Sequence, residues 1–262
     1  MYIDVHAHLS GEEYESVDGV RGVLARAREA GVGTVIASGF DVESSVRSMR
    51  LAEEYDGVYF CAGFHPSELK KWQDGDLERL KILCLHEKCV AVGEIGLDYH
   101  FDDNPPKEVQ RAAFIEQLKI ACELGLPVVI HSRDAAEETL LILEENKGLL
   151  QAGGLMHCYS YSPEMLLRFA KLNLHFSFGG TSTFKNAKKV HDSVRCVPAH
   201  RILSETDCPY LTPTPYRGVF PNEPKYIPLV VKNLAELRQE KEEQLKERIW
   251  ANAHALFPKL QK

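Results

Sequence analysis

The chain has 262 residues, of which 44% are hydrophobic and 26% charged, and a formal net charge of −7. This composition excludes a mostly disordered chain, and no run of about 18 uncharged apolar residues offers a membrane span. The acidic balance argues against a protein that grips long DNA by counterion release, so contact with nucleic acid is expected to be local or aided by bound cations.

Short apolar runs alternate with amphipathic segments along the chain. Strands are expected at 2–5, 34–37, 58–62, 90–93, 127–130, 155–156, 174–178 and 201–203. Many are continuously apolar, as strands buried on both faces should be. Between them, Phe114, Leu118 and Ala121 fall at i, i+4 and i+7, and Ala136, Leu140 and Leu143 repeat that spacing, so each set forms one apolar helix face. Gly31 and Gly125 stand where a helix ends just before a strand, a place for a left-handed cap. Residues 209–228 carry Pro209, Pro213, Pro215, Pro221, Pro224 and Pro228. They read as a rigid loop after the last strand, because a helical segment at 228–238 follows directly. From Glu240 onward, Leu245 and Ile249 mark a helix expected on the exterior.

Strands alternating with helices point to a parallel sheet, and roughly 250 residues is the usual size of an eight-stranded barrel. The expected fold is α/β, a (β/α)8 TIM barrel forming a single domain over residues 1–262. The competitor is an open doubly wound sheet, weakened by the lack of a G-x-G-x-x-G or P-loop after any strand. The cysteines, Cys61, Cys84, Cys89, Cys122, Cys158, Cys196 and Cys208, are odd in number and include no C-x-x-C pair. They are therefore expected to be reduced thiols rather than a disulfide framework or zinc ribbon. Residues 1–6 carry no basic or apolar leader, so a cytoplasmic location is expected.

Ligand-type residues fall at one kind of place. His6 and His8 follow the first strand, Glu94 ends the fourth, His131 the fifth and His157 the sixth, and Asp207 lies just past the eighth. In a β/α barrel these ends open on one face, where active sites sit. In H-x-H on a strand end, alternation sends both imidazoles to the same side. Any one of these histidines alone would more often be a hydrogen-bonded core or rim residue; it is the coincidence of all six positions that points to metal. Six such groups exceed one tetrahedral site with an open position and suit two ions sharing a bridging carboxylate. Imidazole and carboxylate suit zinc, manganese, cobalt or iron, whereas magnesium prefers oxygen.

Asp4-Val5-His6-Ala7-His8, Gly63-Phe64-His65-Pro66, Gly93-Glu94-Ile95-Gly96-Leu97-Asp98, Val129-Ile130-His131-Ser132-Arg133, His157-Cys158-Tyr159-Ser160 and Glu205-Thr206-Asp207-Cys208-Pro209-Tyr210-Leu211 together resemble the TatD family of metal-dependent deoxyribonucleases. The resemblance covers nearly the whole chain, in order. It implies a barrel of the amidohydrolase superfamily that hydrolyses DNA phosphodiesters by hydroxide attack with two divalent ions (magnesium, manganese, zinc or cobalt). By motif position, His6, His8 and Asp207 would hold one ion, and His131 and His157 the other, with Glu94 shared. One departure is Tyr159-Ser160-Tyr161, where many members have Phe-Ser-Gly; Tyr161 is expected at the substrate rim.

The expected catalytic residues are Asp207, as metal ligand and proton acceptor, Glu94, and His65, which either meets the scissile phosphate or is a hydrogen-bonded loop histidine. Substrate contacts are assigned to His65, Arg133, Tyr159, Glu205 and Arg217. Arg133, placed at the start of the helix after the fifth strand, is read either as a phosphate fork or as the partner of a rim carboxylate. Glu205 is read as orienting a ligand or as an ion-pair partner. Arg217, Lys185, Lys188, Lys189 and His191 either meet DNA or are solvated charges. Tyr159 and Phe184 either stack on unpaired bases or pack. The expected partner is DNA, single-stranded or frayed and cut as by an exonuclease, with no membrane and no obligate protein partner; a monomer is expected. The rival reading is a metal-dependent amidohydrolase or lactonase acting on a carbon centre. Relatives of that kind often bridge their ions with a modified lysine from the fourth strand, and none stands there. A non-catalytic binding scaffold is disfavoured by the intact ligand set.

Overall fold

The computed structural model describes residues 1–260, the side chains of 15–17 apart. Eight parallel strands stand in chain order in one sheet. They are β1 (Tyr2–Ala7), β2 (Val32–Ser38), β3 (Val58–Ala62), β4 (Cys89–Asp98), β5 (Val128–Arg133), β6 (Gly154–Met156), β7 (Leu174–Phe178) and β8 (Ile202–Ser204). Helices alternate with them: α1 (Gly19–Glu29), α2 (Val42–Glu54), α3 (Asp76–Cys84), α4 (Lys107–Leu124), α5 (Ala136–Glu145), α6 (Pro163–Phe169), α7 (Lys188–Cys196), α8 (Ile227–Arg238) and α9 (Glu242–Leu256). This is the expected barrel.

Its seam differs from the ladders elsewhere. β8 is three residues long, and individual bonds join its surroundings to β1. Ser204 Oγ donates to Ile3 O at 3.1 Å. Thr206 donates its N–H to Asp4 Oδ1 at 3.0 Å and its hydroxyl to Asp4 Oδ2 at 2.5 Å. Further along, the Asp207 N–H donates to His6 O at 3.0 Å and the His8 N–H to Cys208 O at 2.7 Å. The H-x-H strand and the Asp207 segment are thereby laid side by side from opposite ends of the chain.

β4 and β5 run past the apolar stretches that mark them in sequence. Ile95 pairs with Ile130, Gly96 with His131, Leu97 with Ser132 and Asp98 with Arg133. Glu94 therefore lies inside its strand rather than ending it. Arg133 closes β5 rather than opening the next helix, which begins at Ala136. Gly96 permits the close pairing: its φ is +141° and an added Cβ would meet His131 O at 2.0 Å, so no larger residue fits.

The helix faces follow their spacing, with Ala136 only half-buried at the start of α5. Phe114, Leu118, Ala121, Leu140 and Leu143 are buried, as are Leu245 and Ile249 on α9. Asn252 Nδ2 ties α9 to the root of β8 by donating to Ala199 O and Ile202 O at 2.9 Å each. Gly125 caps α4 at φ +63°. Asn222 staples the proline-rich loop down, donating to Thr206 O at 3.0 Å and Tyr210 O at 2.6 Å. The seven cysteines are free thiols. No described helix is long and apolar enough to cross a membrane.

One buried histidine lies at the opposite end of the barrel from the ligand-type residues. His175, second residue of β7, is pushed down to about 4, first by burial and then by the charge of Arg201. The unfolded residue takes a proton near its ordinary value, while the folded one resists until about 4. Stability from this group is thus complete above pH 6.5 and is lost as pH falls towards 4, by about 3 kcal/mol in all. Comparing urea midpoints of wild type and His175→Phe between pH 7 and 4.5 should show the variant losing less stability on acidification. Parallel losses would contradict this account.

Candidate metal centre

A cavity of about 660 Å³ opens at the C-terminal ends of the strands, and His8, His65, Glu94, His131, His157 and Asp207 are among the residues that line it. His6 lies fully buried beneath them. The other five expected ligands gather around the two oxygens of Glu94. Oε2 faces His6 Nε2 at 3.4 Å and His8 Nε2 at 3.3 Å, and Asp207 Oδ1 lies 3.7 and 3.5 Å from the same nitrogens. Oε1 faces His131 Nδ1 and His157 Nε2, each at 2.8 Å. His6, His8 and Asp207 form one group able to hold an ion, and Glu94, His131 and His157 another.

The outer nitrogens of His6, His8 and His131 have hydrogen-bond partners, and that of His157 faces a carboxylate beyond hydrogen-bond distance. Ser38 serves two rings: its Oγ lies 3.0 Å from His6 Nδ1, and its carbonyl accepts from His8 Nδ1 at 3.2 Å. Asp98 Oδ2 lies 3.0 Å from His131 Nε2. Glu205 Oε1 faces His157 Nδ1 at 3.7 Å, while Ser177 Oγ donates to Glu205 Oε2 at 2.5 Å. Acceptors on the outside keep the ring protons there, so the inner nitrogens of neutral His8, His131 and His157 present lone pairs. Lone pairs of His8, His131 and His157 would then face oxygens of Glu94 at 2.8–3.3 Å. That arrangement is repulsive unless a cation or an extra proton lies between. Titration reflects the same demand. Burial would lower His8, but its hydrogen bonds to Asp207 and Glu94 and their charge outweigh it and raise the group to about 10. Burial likewise opposes His157, and the charge of Glu94 with the help of Glu205 raises it. The donor set therefore fits divalent cations.

His65 behaves differently. Its Nδ1 accepts the Ser67 backbone N–H at 3.2 Å. A backbone N–H can only donate, so the proton of the neutral ring sits on Nε2, which points at Glu94 Oε1 from 3.5 Å. Burial, and then the charge of His131, push His65 down to about 3 and keep it neutral. It thus offers the cavity a donor rather than a ligand lone pair.

The structure corrects several expected substrate contacts. Tyr159 does not line the cavity: its ring is buried against Phe176 and Phe178, and its hydroxyl donates to Ser162 O at 2.9 Å. Glu205 is fully buried behind His157 and is out of a substrate's reach. Tyr161 is half-buried and is not among the residues that line the cavity, its hydroxyl accepting the Ala135 N–H at 3.3 Å. Arg133 does line the cavity, with its guanidinium 4.9 Å over the Phe101 ring. Arg217 is exposed and stacks on Phe184 at 4.1 Å. Lys185, Lys188 and Lys189 are exposed, whereas His191 Nε2 is tied to Ser182 O at 2.9 Å.

Two positioning residues, Ser38 and Asp98, carry no distinctive mark in sequence. Asp98 lies within a quoted motif, yet reads there as an ordinary acid at a strand end. Asp98→Asn removes the charge that holds the proton on His131 Nε2. It is expected to weaken metal binding at His131 and His157 about 10- to 100-fold and to spare binding at His6 and His8, as measured by competition with a chelating dye. Unchanged affinity at both sites would contradict this role.

The family model described as TatD related DNase matches residues 3–258. YabD of Bacillus subtilis, described as an uncharacterized metal-dependent hydrolase, is 42% identical over 257 residues, covering 98% of this chain and 99% of its own. A protein of Cronobacter sakazakii named 3'-5' ssDNA/RNA exonuclease TatD is 34% identical over 244 residues, covering 90% of this chain and 91% of its own. The crystal structure of the TatD homologue YjjV from Escherichia coli superposes with a TM-score of 0.91 at 34% identity, covering 98% of each chain. With a barrel that gathers six ligand-type histidines and carboxylates at one mouth, and with relatives of this kind along its whole length, the chain belongs to the TatD family of metal-dependent hydrolases.

Proposed function

We propose that this chain, working as a single-barrel monomer, is a deoxyribonuclease that removes nucleotides from single-stranded or frayed DNA with two divalent ions shared across Glu94. The observation that carries the reading is the division of Glu94, one oxygen to His6 and His8 and the other to His131 and His157. Asp207 completes the first set. The name of the Cronobacter relative supports a nucleic-acid substrate, and β4 carries no lysine of the kind a carbon-centred hydrolase would use as a bridge.

Two bound divalent ions supply Lewis acidity to the phosphoryl oxygens and lower the pKa of water. The remaining tasks fall to side chains. Asp207, at the cavity wall, takes the proton as a water oxygen bonds to phosphorus and the ester P–O bond breaks. His65 Nε2–H donates to an oxygen of the phosphate, where negative charge develops. Arg133 pairs with a phosphate at the rim. Ser38, Asp98 and Glu205 hold the imidazoles in place.

The test is digestion of labelled single-stranded and duplex oligonucleotides with manganese, magnesium, cobalt or zinc, beside a panel of lactones, esters and amides. Release of nucleotides, with the panel silent and activity lost in chelator, is expected. Turnover of a lactone or amide with DNA untouched would overturn the proposal in favour of the carbon-centred reading.

A further inference from the structure

The nuclease reading leaves the aromatic wall of the cavity without a task. Phe101 lines the mouth and is 50% exposed. It is an apolar ring held in water directly beside the proposed phosphate site. The ring is also braced. Arg133 lies over it at 4.9 Å, and the His100 ring meets it at 4.8 Å and nearly perpendicular, itself tied through Nδ1 to Asp134 at 2.7 Å.

The turn that presents Phe101 is anchored at its root. The Asp98 N–H donates to Gln110 Oε1 at 2.8 Å, and its carbonyl accepts from Asn104 Nδ2 at 3.1 Å and Gln110 Nε2 at 3.0 Å. The Asn104 N–H returns to Phe101 O at 3.2 Å, and the Tyr99 N–H donates to Arg133 O at 2.9 Å. Asp98 is also the residue that fixes His131. One strand end thus sets both an imidazole of the metal centre and an open aromatic ring beside it.

We propose that Phe101, backed by Arg133, is the stacking platform for the nucleobase adjoining the cleaved phosphate, and so selects an unpaired strand. This rests on the nuclease reading above. An aromatic ring accepts any base through its π-face, which gives grip without sequence preference. Arg133 adds a planar cation behind the ring, a group suited both to an aromatic face and to phosphate. A base can lie on Phe101 only after leaving its neighbours in a duplex, which disfavours paired substrate.

The experiment compares wild type, Phe101→Ala and Phe101→Trp in manganese. It measures kcat and KM on a single-stranded oligodeoxythymidine and the inhibition constant of a base-free tetrahydrofuran phosphate strand of equal length as competitor. Phe101→Ala should raise KM about tenfold, the loss of one base–aromatic stack, with kcat changed far less. The base-free competitor should bind the variant as it binds wild type, and Phe101→Trp should restore KM. An unchanged KM in Phe101→Ala overturns the platform. So does a parallel weakening of the base-free competitor, which would make Phe101 a mere support for the phosphate path. Failure of wild type to cut the oligonucleotide overturns the nuclease reading, and the platform with it, which separates the two.

Discussion

Glu94→Gln is expected to lower kcat/KM on single-stranded DNA by about four orders of magnitude while the protein still folds. Glutamine keeps the shape of a side chain that is 2% exposed, so the core is not disturbed. It replaces one oxygen by an amide nitrogen, which can only donate. Whichever way it turns, one of the two histidine sets then faces N–H groups where it had a carboxylate oxygen, and the shared anion is gone. Each ion contributes several kcal/mol to charge stabilisation in such chemistry, and a factor of ten corresponds to about 1.4 kcal/mol. Elemental analysis of the variant should find at most one divalent ion per chain, and thermal melting monitored by circular dichroism should remain cooperative. Activity within tenfold of wild type would remove Glu94 from the centre of the account.

Asp207→Asn should have the second largest effect, a fall in kcat of about a thousandfold, within the range that a positioned proton acceptor supplies. The substitution also weakens a ligand, so the two roles must be told apart. His6, His8 and Glu94 Oε2 remain within 3.2–3.4 Å of one another and keep a site that excess manganese can refill. If Asp207 acts on the proton, kcat stays low at saturating manganese. Full recovery there would reduce Asp207 to a ligand alone.

The ligand-type residues were legible in the sequence because a barrel converts position into proximity. Six residues each beside a C-terminal strand end need only the closure of the sheet to meet. Glu94 illustrates the limit of that logic. Gly93 and Gly96 interrupt its apolar run, so the strand seemed to stop at the glutamate, whereas backbone pairing with β5 carries it on to Asp98. The supporting groups were less visible because their roles are set by neighbours remote in sequence. Ser38 is a common residue at the end of a common strand, and only the fold places its hydroxyl and carbonyl behind His6 and His8. Tyr159 resembled a rim aromatic because it follows a ligand histidine in a loop; Phe176 and Phe178, from the next strand, turn it inward. Which nitrogen of each ring faces the centre, Nδ1 for His131 and Nε2 for His6, His8 and His157, is likewise a property of packing.

The central claim is that Glu94 divides a pair of divalent ions between two sets of side chains. Anomalous scattering from crystals grown in manganese tests it most directly. Two peaks are expected. One lies within about 2.0–2.3 Å of His6 Nε2, His8 Nε2, an Asp207 oxygen and Glu94 Oε2; the other lies equally close to His131 Nδ1, His157 Nε2 and Glu94 Oε1. A single peak, or peaks away from Glu94, at saturating manganese would contradict it.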